Sequence, residues 1–397
     1  MLTHARLRFA LVFLCPLLFQ SLAAQTAPVT RPSQPRPTRA QMLQLLNPAV
    51  TDYAAREANA SPAVKAQLAQ LRQSVEKSGA HFTIRYTGAT DVPLDLLDGT
   101  LIPRELPASV VTKVNTRAKL LEGEIARSRA EAHLPPQAIQ NSCSASAKSF
   151  DWRTANKVTG IRTQVCGTCW DFTAMAAFEG SYAVQNSQLI DTSEQYSLNC
   201  SKGGDCTGGW WMPVFDFLIQ SGAVDETDDP LTGNATLACP ANLSPKYKAS
   251  AWGFVGSKVE DIPSPSAIKQ ALCEHGPLAT AIYADPAFQS YGGGTFDEHT
   301  QSFNWINHGI TIIGWDDSQG PSGAWLIKNS WGPAWGSTAG FGTQMGYAWV
   351  AYDTNNIGIG TAWVDALQNR VPLSPQWMKI IKDPEFQTPL SVVRGRQ

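Results

Sequence analysis

Three separate stretches of this chain carry the side chains of an acyl-transfer site. Residues 164–170 read QVCGTCW and contain the thiol of Cys169. His308 and Asn329 follow roughly 140 and 160 residues downstream. The thiol supplies a nucleophile, the imidazole a general base, and the asparagine amide a partner that orients the base. Gln164 adds a side-chain N–H suited to stabilising an oxyanion. These residue types, in this order, predict nucleophilic attack on a carbonyl carbon.

These residues and their neighbours resemble the papain/cathepsin family of cysteine peptidases. The run CGTCW matches the family signature around the nucleophile, with Thr168 where Ser or Ala is usual. NHG at 307–309 and WLIKNSWG at 325–332 match the stretches that hold the family's base and its orienter. The resemblance begins near residue 150, at FDWR, and ends near residue 358. It implies Cys169 as nucleophile, His308 as base, Asn329 as orienter and Gln164 as oxyanion donor, without metal or cofactor.

The resemblance also implies the fold class. We expect an α+β, papain-like fold with two subdomains and a cleft between them. One half is mainly helical around the Cys169 helix, and the other is a β-barrel-like half that carries His308 and Asn329. The implied substrate-binding residues are Gly208, Gly209, Trp210, Trp211, Ile306, Asn307 and Trp331.

The substrate-binding residues predict how a peptide would lie in the cleft. The two glycines allow the substrate backbone to approach as an added strand. By the same resemblance, Trp210 and Trp211 lie where the pocket begins and Ile306 lies on its opposite wall, which predicts an apolar side chain two residues before the cleaved bond, the P2 position. Core packing of Trp210 and Trp211 is the alternative. Trp331 is expected to cover the hydrogen bond between His308 and Asn329 and to exclude water from it.

The residues around the thiol predict a helix that begins there. Thr168 and Asp171 fit the two positions of a capping box, which places Cys169 in the first turn. The unpaired backbone N–H groups of that turn favour a thiolate. A nearby His308 imidazolium would make an ion pair the resting state. Asp171 is an anion in the same turn and would partly oppose the thiolate.

The cysteine count agrees with one free thiol. The chain has eight cysteines, of which Cys15 lies in an apolar N-terminal run that we expect to be removed. If Cys169 is free, the other six can pair completely. The family resemblance implies Cys166–Cys206 and Cys200–Cys239, and the two that remain, Cys143 and Cys273, are expected to form a third disulfide. A redox pair or half of a zinc site at residues 166–169 is the alternative, but neither explains His308 or Asn329.

The N-terminus and the overall charge limit where the protein acts. Residues 1–24 combine basic residues, an apolar run and small residues, which predicts an export signal peptide. The apolar run is short for a membrane span, so we expect a secreted or periplasmic protein without one. With a net charge of −2 and a pI near 6.3, nothing in the composition suggests a nucleic-acid or anionic-membrane partner.

The rest of the chain divides into three parts. Residues 25–140 are expected to be a propeptide, with a Pro-rich linker at 25–40 followed by helical and extended segments. Its position before the core favours an intramolecular inhibitor, and a separate binding domain is the alternative. Residues 141–364 form the expected peptidase domain. Residues 365–397 contain prolines that argue against a helix, and they form an extension of unknown role.

Together these features predict a secreted, monomeric cysteine endopeptidase made as a zymogen. It would hydrolyse peptide bonds of polypeptide substrates through a Cys-His-Asn site and a thioester intermediate. Two alternatives stay open. One is a papain-fold binding protein without activity, and the other is a transpeptidase in which an amine resolves the thioester.

Overall fold

The computed structural model of the chain describes residues 36–48, 52–103, 106–134, 143–299 and 306–386. The predicted signal peptide, residues 1–24, and most of the predicted linker, residues 25–40, lie outside these ranges.

The helices of the described residues are α1 Arg39–Leu46, α2 Tyr53–Asn59, α3 Pro62–Ser78, α4 Ala108–Glu131, α5 Cys169–Asn186, α6 Glu194–Cys200, α7 Trp211–Gln220, α8 Pro265–His275, α9 Pro286–Gln289 and α10 Pro375–Lys382. Short 3₁₀ turns lie at Gly88–Asp91, Leu94–Leu96 and Pro384–Phe386. None of the helices in this part of the chain is both long enough and apolar enough to cross a membrane.

The strands are β1 Phe82–Ile84, β2 Ser149–Asp151, β3 Gly204–Asp205, β4 Gly208–Gly209, β5 Ala249–Phe254, β6 Leu278–Ile282, β7 Tyr291–Phe296, β8 His308–Asp316, β9 Ala324–Lys328, β10 Tyr347–Ala351 and β11 Ala362–Ala366.

Nine of these strands form one sheet. Its order is β1-β7-β10-β9-β8-β6-β11-β5, with β2 paired to β8. Only β7 and β10 run parallel among the described neighbours. The order ends at β1 and β5, which do not pair with each other within the described ranges, so the barrel-like half is an open sheet rather than a closed barrel. An upstream strand extends one edge and helix α4 packs against the other, which protects both edges without closure.

Helix α5 is the buried centre of the fold. Trp170, Ala174, Ala177 and Phe178 have no exposed surface. The helix packs against strands β8 and β11 and against helices α6 and α7. Almost all residues of the helix are buried, including the polar Asp171 and Glu179, as expected for a helix inside a core. The predicted buried central helix after Cys169 is therefore confirmed.

Strands β8 and β9 position the imidazole and its predicted orienter. His308 is the first residue of β8, and Asn329 directly follows the last residue of β9. The two strands are antiparallel, with Thr311 opposite Lys328. The start of one and the end of the other therefore meet at the same end of the sheet.

The upstream segment contacts the rest of the chain along much of its length, and three of these contacts bear on the site and on the edges of the sheet. Strand β1 pairs with β7, residues 97–102 pass beside Cys169, and α4 packs along β5. The predicted helix start at Ser61 is confirmed, because Ser61 caps α3 and Pro62 takes its first position.

The C-terminal extension contains a helix, so the expectation of a helix-free tail is wrong. Ser374 caps α10 by accepting a hydrogen bond from the Trp377 backbone N–H at 3.0 Å. Pro375 takes the first helical position, where its missing N–H leaves no intrahelical hydrogen bond unmade. The proline thus starts this helix instead of breaking it.

Candidate active site

The Cys169 thiol lies at the N-terminal end of α5 and is fully buried. It is the only unpaired cysteine in the described residues. The Thr100 hydroxyl lies 3.2 Å from the sulfur, and the backbone N–H of Gly309 is also hydrogen-bonded to it. Burial raises the pKa of the thiol to about 11, although both of these contacts lower it.

The predicted capping box at the start of α5 is wrong in detail. The Thr168 side chain makes no capping hydrogen bond. Its hydroxyl donates to the Cys166 carbonyl at 3.3 Å, and its backbone N–H donates to the same oxygen at 2.6 Å. The tight turn beside the Cys166 disulfide therefore holds the hydroxyl away from the first turn of the helix.

Asp171 is buried in the first turn and accepts a hydrogen bond from the Ser197 hydroxyl at 2.5 Å. Burial raises the pKa of this carboxyl to about 8, and the Ser197 bond lowers it only partly. The carboxyl is therefore mostly neutral at acidic and neutral pH. Its expected opposition to a thiolate at Cys169 is accordingly small in that range.

The His308 imidazole is held by Asn329. Nε2 of His308 lies 2.8 Å from Oδ1 of Asn329. An amide oxygen only accepts, so Nε2 carries the proton and Nδ1 keeps its lone pair. Nδ1 is therefore the imidazole nitrogen that can take a proton. The Trp331 ring packs against the imidazole with centroids 4.5 Å apart, and all three side chains are buried.

The thiol and the imidazole are both neutral in this closed site. Burial lowers the pKa of His308 to about 4, while the Asn329 hydrogen bond raises it. With the pKa of Cys169 near 11, neither side chain is charged at neutral pH. The expected thiolate–imidazolium pair is therefore not the state of the site here, because both groups are removed from solvent.

Gln164 lies in the same site. Its backbone N–H donates to the Ser330 carbonyl at 2.8 Å, and its Oε1 accepts from the Ser330 hydroxyl at 2.7 Å. Its Nε2 donates to the carbonyls of Cys166 at 2.8 Å and Leu97 at 3.0 Å. Ser330, which directly follows Asn329, therefore anchors the Gln164 side chain within the site.

The Leu97 carbonyl occupies the oxygen-binding position beside Gln164. It accepts from Nε2 of Gln164 and from Nε1 of Trp331, each at 3.0 Å. A substrate carbonyl oxygen attacked by Cys169 would need donors of this kind. Leu97 therefore stands in for a substrate carbonyl at one of the predicted oxyanion donors.

The next residues of the upstream segment lie along the cleft as an added backbone. The Gly99 carbonyl accepts from the Gly209 N–H, and the Leu101 N–H donates to the Gly209 carbonyl, both at 2.9 Å. The N–H groups of Gly99 and Thr100 both donate to the Asn307 carbonyl at 2.8 Å. The glycine pair of β4 thus receives extended backbone as predicted, but from the chain itself.

Asp98 and Asn307 form a further contact across the cleft. The Asn307 Nδ2 donates to Asp98 Oδ2 at 2.9 Å, and its Oδ1 accepts from the Ala284 N–H at 2.7 Å. Burial and the neighbouring Asp95 raise the pKa of Asp98 to about 7, and the Asn307 hydrogen bond lowers it. The Asn307 side chain is therefore held on both sides, by Asp98 and by Ala284.

The two predicted pocket tryptophans differ in their surroundings. Trp210 packs against Phe254 with ring centroids 6.0 Å apart, as the core alternative expected. Trp211 and Ile102 of the upstream segment both lie next to Gly360, where an added Cβ would be 3.1 Å from the Trp211 ring and 2.8 Å from Cδ1 of Ile102. Ile306 is 5% exposed. Gly360 thus has Trp211 and the upstream residue Ile102 as close neighbours.

The cysteines pair as Cys143–Cys273, Cys166–Cys206 and Cys200–Cys239, the three pairs that were expected. Because Cys166 is bonded to Cys206, it forms no redox pair with Cys169. The same pairing leaves no thiolates at Cys200 and Cys206 for a zinc site.

The site contains four residues that were not predicted to belong to it, Leu97, Asp98, Gly99 and Thr100. Their place depends on long-range packing of the upstream segment, which no local pattern specifies. One local clue is Gly99, because an added Cβ there would lie 2.1 Å from the Gly167 carbonyl oxygen. A glycine at this position permits the close approach.

Sequence comparisons place the core of the chain among known proteases. A family model described as "Papain family cysteine protease" matches residues 146–365, more than half of the chain. Digestive cysteine proteinase 3 of Homarus americanus is 34% identical over 48% of this chain and 59% of its own length. Fruit bromelain of Ananas comosus is also 34% identical, over 49% and 53%. The chain therefore spans between half and two thirds of the length of these two relatives.

Solved structures of precursor proteins share the fold over a longer range. Digestive procathepsin L 3 of Tenebrio molitor larval midgut has a TM-score of 0.56 at 22% identity, covering 82% of this chain and 97% of that one. Recombinant stem bromelain precursor has a TM-score of 0.56 at 21% identity, covering 80% and 93%. This likeness extends the shared α+β fold upstream of the matched core, and the chain belongs to the papain family of cysteine proteases.

Proposed function

We propose that this chain is the inactive precursor of a secreted cysteine endopeptidase. The observation that carries the proposal is the contact of the upstream segment with the reacting groups. The Thr100 hydroxyl lies beside the Cys169 sulfur, and the Leu97 carbonyl accepts from Gln164. A segment in this position blocks substrate and suits the role of an intramolecular inhibitor.

Removal of the segment would activate the thiol. Water then reaches Cys169 and His308, so the pKa of the thiol falls and that of the imidazole rises towards their ordinary values. Nδ1 of His308 takes the thiol proton, while Asn329 keeps the imidazole oriented through Nε2. The N-terminal end of α5 stabilises the resulting thiolate.

Catalysis would follow in two steps. The thiolate attacks the peptide carbonyl, and the oxyanion receives hydrogen bonds from Gln164 Nε2 and the Cys169 N–H. His308 gives its proton to the leaving amine, the C–N bond breaks, and a thioester remains on Cys169. His308 then takes a proton from water, whose oxygen attacks the thioester and releases the acid and the thiolate. The scheme uses no metal or cofactor.

We expect a preference for an apolar P2 side chain. Gly209 would pair with the substrate backbone as it pairs with Gly99 and Leu101 in the precursor. Trp211 and Ile102 both lie next to Gly360, so the segment already places an apolar side chain near this wall. The three disulfides favour an oxidising compartment, either outside the cell or within a lumen.

Hydrolysis of fluorogenic peptide amides tests the proposal. After acidic incubation, the wild-type chain should cleave an amide with Leu at P2 faster than the matched amide with Asp at P2. Cys169→Ala should cleave neither, and Gln164→Ala should lose about 10²-fold in kcat. Wild-type protein that binds these peptides without cleaving them would instead support the inactive papain-fold alternative. Transfer of the acyl group to an added amine in preference to water would support the transpeptidase.

A further inference from the structure

We propose that helix α4 is a permanent part of the peptidase domain and stays bound when the residues in the cleft are removed. This inference rests on the proposed precursor function and divides the upstream segment in two. The part up to residue 103 would inhibit, and α4 would belong to the folded enzyme.

A buried ion pair joins α4 to the core. The Arg117 guanidinium donates to Asp216 of α7, and the side chains of the two residues are 4% and 6% exposed. The same carboxylate accepts from Nε1 of Trp252 at 2.7 Å. Loss of α4 would leave the Asp216 carboxylate without its cation, which is costly for a buried charge.

A second polar contact completes the edge of the main sheet. Strand β5 ends the sheet order, so within the described part of the chain its outer backbone groups have no partner strand. The Asn115 side chain accepts from the Phe254 N–H at 2.8 Å and donates to the Phe254 carbonyl at 3.2 Å. One residue of α4 thus satisfies both outward-facing backbone groups of Phe254, as a neighbouring strand would.

The apolar face of α4 is also buried. Its members, each at most 8% exposed, are Val111, Val114, Ala118, Leu121 and Ile125. The helix packs along β5, whose residues are buried throughout. Removal of α4 would expose this strand together with its own apolar partners, which opposes release.

The C-terminal helix α10 holds α4 from the other side. The Ser374 hydroxyl donates to Glu124 of α4 at 2.9 Å. Trp377 of α10 is fully buried, and its Nε1 donates to the Ser250 carbonyl of β5 at 3.1 Å. Both α4 and α10 lie outside the 146–365 family match, yet they pack on each other and on the same edge strand. The two additions therefore act as one unit on the peptidase core.

Activation does not require α4 to leave. The contacts with Cys169, Gln164 and Asn307 come from residues 97–100. Clearing the reacting groups therefore needs removal of these residues alone.

A cleavage experiment on the inactive Cys169→Ala chain tests the inference. One site-specific protease sequence is inserted between residues 103 and 106 and another between residues 134 and 143. After both cuts, native mass spectrometry and gel filtration measure how fast each fragment leaves the peptidase domain. We expect the α4 fragment to dissociate at least about tenfold more slowly than the fragment of residues 36–103, because α4 carries the buried ion pair. Equal or faster loss of α4 would overturn the inference.

Two variants on the same helix sharpen the test. Arg117→Met should speed dissociation of α4 by at least about tenfold, because Asp216 is left buried and unpaired. Arg127→Met is the matched control, since Arg127 is 62% exposed in its pair with Glu124 and should change the rate less than about twofold. If Arg117→Met does not fold, Asn115→Ala takes its place, with a faster loss of α4 again expected. Equal rates for the substituted and control chains would overturn the inference. The readout is binding in an inactive chain, so it is independent of whether the enzyme cleaves peptides.

Discussion

The hydroxyl of Thr100 lies 3.2 Å from the sulfur of Cys169. Thr100 belongs to the segment that activation would remove, and Cys169 belongs to the domain that would remain. The hydrogen bond itself lowers the pKa of the thiol. The burial that accompanies it has the larger and opposite effect and brings that pKa to about 11. The segment thus both covers the nucleophile and keeps it protonated.

Gly99 should control how firmly the segment sits in the cleft. A Cβ at Gly99 would lie 2.1 Å from the Gly167 carbonyl oxygen, so Gly99→Ala forces the segment or the Cys166 loop to shift. We expect the unprocessed variant to react with a thiol-directed epoxide roughly tenfold faster than the wild-type precursor. The rate is measured by intact mass.

Gly123→Ala provides the control for that substitution. Gly123 lies on the exposed face of α4 and has no atom within 4 Å of an added Cβ. The Gly123→Ala precursor should therefore react with the epoxide at the same rate as the wild-type precursor. Equal rates for Gly99→Ala and Gly123→Ala would mean that the close approach at Gly99 does not hold the segment in place.

Two groups in the closed cleft respond to acid in opposite directions. Burial lowers the pKa of His308 to about 4, and water admitted by opening would return it towards its ordinary 6.5, so closure would weaken as pH falls between these values. Burial raises the pKa of Asp98 to about 7, and opening would return it towards its ordinary 3.8, so closure would strengthen as pH falls between these values. The two effects oppose each other in nearly the same pH window.

Asp98→Asn should therefore make the closed state sensitive to acid. In this variant the effect of His308 protonation on closure is no longer offset by Asp98. Relative to the parent chain, the segment should therefore open more readily at pH 4.5 than at pH 7. Hydrogen exchange of the Thr100 and Leu101 N–H groups measures opening in a Cys169→Ala background. The ratio of the variant's rate to the parent's rate at the same pH removes the intrinsic pH dependence. An identical ratio at both pH values would contradict the claim that protonation of Asp98 strengthens closure in acid.

Asp171→Asn tests the buried carboxyl in the first turn of α5. The pKa of Asp171 rises from 3.8 to about 8 on folding, so its stabilising effect is complete below pH 3.8 and is lost as pH rises to 8. The amide has no such dependence and keeps the Ser197 contact. The variant should therefore gain stability relative to the parent between pH 4 and pH 8. Urea unfolding at the two pH values measures this, and a constant difference would refute it.

Trp377→Ala tests the contribution of α10. The side chain is fully buried, so its truncation should lower the free energy of unfolding by about 3–5 kcal/mol. Met378→Ala is the neighbouring control, since Met378 is 36% exposed and should cost less than about 1 kcal/mol. Urea unfolding of both variants is the measurement. Equal midpoints would mean that α10 is not a stabilising part of the domain.

The residues predicted from sequence are those that local patterns specify. Cys169, His308 and Asn329 stand in long runs of uncommon residues, and the periodicity after Cys169 predicted the buried helix. Ser61 followed by Pro62 predicted the start of α3 for the same local reason.

The features that were missed depend on distant contacts. Leu97 and Thr100 join the site only because the upstream segment folds back across the cleft. The neutral state of Cys169 and His308 follows from that same coverage and could not be predicted from residue types. The prolines of the C-terminal extension, Pro375 among them, were expected to prevent a helix. Proline is common both in loops and at the first position of a helix, so its presence alone does not distinguish the two.

The central claim is that Cys169 is a nucleophile covered by residues 97–101. Labelling with a thiol-directed epoxide, followed by intact mass, tests it most directly on wild type and Cys169→Ala before and after acidic incubation. We predict almost no label on the intact wild-type chain. After incubation we predict one label on a product that has lost the residues up to Thr100, and no label on Cys169→Ala. Equal labelling of both chains, or an unlabelled wild-type product, would contradict the claim.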